Sequence, residues 1–221
     1  MNIVMEDFMR TRLFTQLFLG LVLATVATGG CRAADAPFVI PHGTKDYRQA
    51  VAGQYTLDVN HVGVVARVSH LGFSVSIFRF DKATGTLDWD PAAPTKSRLS
   101  ATVETGSIQT NVPGFAADLA GPKYLNAGAF PLATFVSTAF RKRDATHGKV
   151  EGQFTLKGKT VPLTFDVTLI GAGLGFAGGP VMGHVIGIHA EGRIDPTQFD
   201  MGPFFKEPIE LVIDTEFDHK G

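Results

Sequence analysis

Cysteine is almost missing from this chain: Cys31 is the only one in 221 residues. No disulfide framework can hold the fold together, so a hydrophobic core must do so alone. Charge of one sign is also missing. Lys and Arg number 20 against 21 Asp and Glu, for a net charge of -1, and no basic stripe runs through the sequence. The electrostatic footprint of a nucleic-acid binder is therefore absent. Helical periodicity is scarce, and its best candidate is Pro113 to Leu125, with Phe115, Leu119 and Tyr124 on one face and Gly121-Pro122 interrupting it.

Catalytic patterns are equally thin. There is no G-x-S-x-G elbow, and Ser69 beside His70 would point to the opposite face of a strand. Gly171 to Gly175 lacks the third glycine of a dinucleotide loop, and Pro180 stands where a helix should begin, so it reads as a hairpin connection. His61 and His70 are nine apart, and His184 and His189 five apart; odd spacings on strands give opposite faces rather than a metal cluster. Asp58, Asp88, Asp90, Asp195 and Asp200 sit near strand ends, but nothing singles out a catalytic pair.

What the chain has in excess is phenylalanine: 18, against three Tyr and one Trp. Phe has no polar atom to offer water, so this surplus must fill a core or line a cavity. Apolar residues at 44% supply enough material for one core in a chain of this length. From Tyr55 onward the dominant period is two. Val161, Leu163, Phe165, Val167 and Leu169 alternate with Thr160, Pro162, Thr164, Asp166 and Thr168. Val150, Gly152, Phe154 and Leu156 do the same before Lys157-Gly158-Lys159, predicting a hairpin. The segments 62–69, 98–105 and 209–217 alternate likewise, and 73–80, 133–140 and 184–192 are further strands. Ala83-Thr84-Gly85, Asp90-Pro91, Gly171 to Pro180, Asp195-Pro196 and Lys206-Glu207-Pro208 read as turns. Eight or nine hairpin-spaced strands with one apolar face each predict an all-β sandwich or barrel, in a single domain over residues 53–219.

The N-terminal end reads as an address. Arg10 and Arg12 precede the uncharged run Leu17 to Ala27, too short for a membrane span and suited to a secretory signal over residues 1–31. Small residues before Cys31 resemble a lipoprotein signal, in which Cys31 is lipidated, although Thr28 stands where that motif usually has Leu. Cleavage near Ala33 or Ala34 to release a soluble protein is the alternative. Periplasmic or secreted placement follows in both cases, with a lipid anchor in the first. Residues 32–52, rich in Ala, Pro and Gly, read as a lead-in or tether.

Two polar residues stand out among the strands. His70 falls in phase with the apolar face of Val62, Val64, Ala66 and Val68, as a core or cavity-edge histidine would. Arg193 ends a strand, where it can hold the polar end of an amphiphile or form a surface ion pair with a nearby Asp.

Several motifs in one order resemble the YceI-like family. Tyr55, Leu57 and Asp58, then His61 and His70, then Leu71-Gly72-Phe73-Ser74 match its opening. Ser107 to Asn111, Tyr124-Leu125-Asn126 and Phe130 to Thr138 match its middle, and Gly152 to Pro162 with Gly192-Arg193-Ile194 and Phe199 its later part. The resemblance covers Tyr55 to Phe217. It implies a single antiparallel lipocalin-like β-barrel of about eight strands with one short helix, enclosing a polyisoprenoid, a quinone-like lipid or a fatty-acid-like chain. Two departures bear on the interior: the aromatic usual in the first strand is Ala66, and the helix histidine is replaced by Asp118.

The expected function is thus carriage of a long-chain amphiphile by an exported, non-enzymatic protein with no other cofactor or metal. The apolar tail is expected along Val64, Ala66, Val68, Phe73, Phe135, Phe154, Phe165 and Phe217, and the head near His70, Arg193 or His61. Membrane contact would come through the anchor or a lipid donor, and the protein would be a monomer or homodimer. The alternatives are an enzyme or redox accessory using histidines as acid–base groups, and a structural or stress-related barrel with a filled core.

Overall fold

The structure, a computed structural model, describes residues 39–219; the leader and Cys31 lie outside them. Ten strands follow one another: β1 Gly53–His70, β2 Ser74–Phe80, β3 Ala83–Trp89, β4 Arg98–Glu104, β5 Ile108–Gln109, β6 Leu132–Lys142, β7 His147–Leu156, β8 Lys159–Phe176, β9 Met182–Ile194 and β10 Ile209–His219. Among the described residues one α-helix, α1, spans Phe115–Ala120. Neighbours run β10-β9-β8-β7-β6-β4-β3-β1, and β1 pairs back to β10, closing an eight-stranded antiparallel barrel. The second half of β1 carries β2, and β2 carries β5, as an extension of the wall.

The alternation of β8 shows why these residues form this wall. Leu163, Phe165 and Leu169 are buried, while Thr160, Pro162, Thr164 and Asp166 are exposed. Its hairpin with β7 closes through Lys157 (φ 50°) and Gly158 (φ 72°), both left-handed, which suits the twist of the flanking strands. Inside, the rings of Phe135 and Phe165 meet edge to face at 5.1 Å. Each lies over a glycine: a Cβ on Gly152 would sit 2.4 Å from the Phe135 ring, and one on Gly192 2.8 Å from the Phe165 ring.

Four local expectations change. Ala83-Thr84-Gly85 opens β3 rather than turning, paired with Val103 to Ala101. Gly171 to Gly175 stays in β8, paired with β9 past a bulge between Leu169 and Gly171. The glycine there serves close approach: a Cβ on Gly171 would stand 3.1 Å from the Gly43 Cα. Residues 43–51, expected as part of a lead-in, are packed on the barrel, where Thr44 pairs with Ala172, Tyr47–Gln49 form a 3-10 turn capped by Asp46, and Ala50 is fully buried. The helix is shorter than Pro113 to Leu125, because Gly114 (φ 80°) precedes its first turn and Gly121 returns to extended backbone.

Both ends of the barrel are covered. Leu119, Tyr124, Leu125, Phe199 and Met201, from α1 and the loops around it, join the main core cluster at one end. At the other, Ala50, Tyr55, Leu57, Leu87, Leu169, Ala172, Ile186 and Phe217 form a second cluster against Tyr47 and Trp89.

Candidate functional site

The inward residues do not fill the barrel. They leave a cavity of about 300 Å³ whose walls are almost wholly apolar. Val64, Ala66, Phe135, Phe154, Phe165 and Phe217 all line it, as the period-two phase of their strands requires. Leu125 and Met201 bound it at the helix end. At the other end the lining reaches Tyr47, Trp89 and Pro94, and runs on to the exposed β6–β7 hairpin from Arg141 to Lys149.

The other expected residues fall elsewhere. Val68 is buried in the core cluster but does not line the cavity. Phe73 is a correction: it is 88% exposed, in the turn between β1 and β2, with its N–H donating to the His70 carbonyl. The strand expected from residue 73 begins instead at Ser74, which leaves Phe73 in the turn. His70 is exposed at the last position of β1, where the strand has run beyond the cavity. Arg193 stands on the outer face of β9 and donates to Glu210 at 3.4 Å, a surface ion pair as its alternative had it, but with a Glu of β10 in place of a nearby Asp. His61 is exposed, with Nδ1 2.6 Å from the Asp58 carboxylate and 3.9 Å from Glu216. None of the three expected head-group residues reaches the cavity.

Asp58, His61 and Glu216 do bring three ligand-type atoms within 4.8 Å of one another, a proximity that spacing alone did not indicate. Asp58 is already engaged there: it accepts from the Asn60 N–H at 2.8 Å as well as meeting His61. Burial works to raise its pKa, but these hydrogen bonds bring the carboxyl below its usual range. The hydrogen bond to Asp58 in turn raises the His61 pKa. His189, between Asp214 at 2.7 Å and Glu191 at 3.1 Å, is raised chiefly by the Asp214 hydrogen bond. This arrangement reads as bracing of the wall.

A group whose pKa is higher folded than unfolded stabilises below its unfolded value and loses that contribution as pH rises through the folded value. The double variant His61→Gln/His189→Gln should therefore be less stable than wild type near pH 5.5. The gap, modest because the pairs are solvated and below about 1 kcal/mol each, should close by pH 8. Thermal melts of both proteins across that range check it, and a gap that widens with pH would reverse the assignment.

Sequence reasoning missed the residues at the mouth. Tyr47 lay in a segment read as lead-in, and its ring meets the Trp89 ring edge to face at 6.0 Å. Lys142 donates to the Tyr47 hydroxyl at 2.9 Å and stands 4.7 Å from the ring centroid. One signal was present: the chain's only tryptophan ends a strand just before Asp90-Pro91, where an apolar ring with a polar edge suits the rim of a cavity.

The YceI-like domain family matches residues 55–217. Protein YceI of Salmonella arizonae is 34% identical over 173 residues, covering 76% of this chain and 87% of that protein. Among solved structures, Burkholderia cenocepacia BcnA superposes with a TM-score of 0.61 at 22% identity, over 74% of this chain and 99% of that one. The Campylobacter jejuni YCEI protein gives 0.59 at 24% identity, over 70% and 91%.

Proposed function

The chain belongs to the YceI-like family, and from that footing we propose that it is an exported binding protein that encloses one slender amphiphile, its apolar chain in the barrel and its polar head at the mouth. The observation that carries this reading is the unfilled interior: about 300 Å³ of apolar space inside a closed wall. Such a void has no structural purpose, since empty apolar space destabilises a core by forfeiting contacts. That argues against a merely structural barrel. The volume lies at the small end of ligand sites, roughly 300–1,000 Å³, which favours a single acyl or prenyl chain over a bulky lipid. Burial of that chain at about 25 cal/mol per Å² drives binding without any reaction. The histidines give the enzymatic alternative little support: His61, His70, His184 and His189 stand outside the cavity lining, and His147, which lines it at the β6–β7 hairpin, has its Nδ1 2.9 Å from the Asp144 carboxylate.

The reading extends to residues 1–31 as an export signal, with Cys31 either lipidated or removed, and places the protein in the periplasm or outside the cell. Mass spectrometry of the protein purified from an exporting bacterial host tests both parts. Organic extraction is expected to release a single-chain acyl or prenyl lipid in near-stoichiometric amount. The polypeptide is expected to lack its leader, beginning at an acylated Cys31 or just beyond it. An empty extract together with failure to take up added lipid sinks the carrier reading; a retained leader sinks export.

A further inference from the structure

The mouth of the cavity holds three side chains whose arrangement is not explained by packing. Trp89 lines this end, yet its indole Nε1 is shielded from solvent and has no hydrogen-bond partner among the described residues. A buried donor left without a partner loses its hydration with nothing in return, so such groups call for an explanation. Beside it, the cations differ in their partners. Arg141 pairs with Glu151 at 3.1 Å and Lys149 with Asp166 at 2.8 Å. Lys142 meets no carboxylate among the described residues; its ammonium rests on the ring and hydroxyl of Tyr47. Tyr47 therefore touches both the Trp89 ring and the Lys142 ammonium, from a short 3-10 turn that lies outside the strands of the wall.

We propose that Trp89 and Lys142 form the head-group site for the enclosed chain, and that Tyr47 covers it until the head enters. The assignment rests on the binding reading above and specifies its ligand: a chain ending in a hydrogen-bond-accepting oxygen, which takes the Trp89 N–H, with an anionic head gaining Lys142 as well. Displacement of the Tyr47 ring uncovers the donor and releases the ammonium in one movement. The oxygen can belong to a carboxylate or to a quinone carbonyl, and the two are separable because only the first carries charge.

Binding of hexadecanoate and of a decyl-substituted benzoquinone to the delipidated full-length protein, measured by calorimetry for wild type, Trp89→Phe and Lys142→Met, tests this. Trp89→Phe should weaken both probes by about tenfold, the loss of one hydrogen bond of roughly 1.4 kcal/mol. Lys142→Met should weaken hexadecanoate about fivefold and leave the quinone unchanged. Wild-type emission, which comes from a single indole, should shift when either probe binds. Unchanged affinities in both variants overturn the head-group site while leaving chain binding intact. Failure of wild type to bind either probe overturns the binding reading along with it. Lys142 is exposed on a hairpin, so its variant folds and keeps the test decisive if Trp89→Phe does not.

Discussion

Ala66→Phe should empty the barrel of its longest ligands while leaving it folded. Ala66 is 8% exposed, lies in the second half of β1 between its β10 and β2 partners, and lines the cavity. A phenyl ring there enters space that is already unfilled, so the strain of overpacking a dense core is largely avoided. The ring takes volume from the ligand instead. Displacing about three methylenes at roughly 0.8 kcal/mol each weakens a chain that fills the cavity by about fiftyfold. Shorter chains lose less, so the preferred length shifts downward. It is also the substitution that restores the aromatic which the family resemblance places in the first strand. Val65→Phe, one residue along on the outward phase, should leave affinity unchanged. Titration with acyl chains of graded length, alongside thermal melts, reads both effects; full affinity for every length in Ala66→Phe would place the chain elsewhere.

The second large effect is on stability. Gly152→Val should cost about 3 kcal/mol, and so lower Tm by roughly 6–12 °C for a chain of this size. The reason is space rather than backbone freedom. A Cβ at Gly152 would meet the Phe135 ring at 2.4 Å and the Val136 carbonyl oxygen at 2.5 Å. The ring can swing aside, but the carbonyl belongs to the β6 wall, so trimming Phe135 to Leu should recover only part of the loss. Gly63→Ala, whose nearest new contact is the Asp214 carbonyl oxygen at 3.9 Å, should fall within about 0.5 kcal/mol of wild type. Denaturant unfolding separates the cases; equal stability of Gly152→Val and Gly63→Ala would mean that β6 yields more easily than its packing indicates.

Strand β8 was legible because burial on one face writes itself into every second residue, and the Lys157-Gly158 turn because left-handed backbone restricts the residue types it accepts. Gly171 to Gly175 misled for a physical reason: glycine serves a turn and a close backbone approach alike. Only the crossing of Gly43, distant in sequence, distinguishes them. The cavity wall was readable in Val64, Ala66, Phe154, Phe165 and Phe217, whose phase points inward along uninterrupted strands. Phe73 was misplaced because its strand begins one residue later, at Ser74, and phase failed at His70 because β1 outlasts the cavity. The rim residues Tyr47 and Lys142 meet through tertiary packing between segments with no common period, which no local pattern encodes.

The seam between β1 and β10 has a consequence for the birth of the molecule. Thr56 pairs with Asp218 and Arg67 with Glu210, so the first strand waits for the last before the wall can close. Contacts of such long sequence separation make closure slow. A chain that stops short of residue 209 leaves bare backbone edges on β1 and β9, templates for pairing with other chains. Whatever handles the nascent polypeptide must keep those edges apart until the final eleven-residue strand is made.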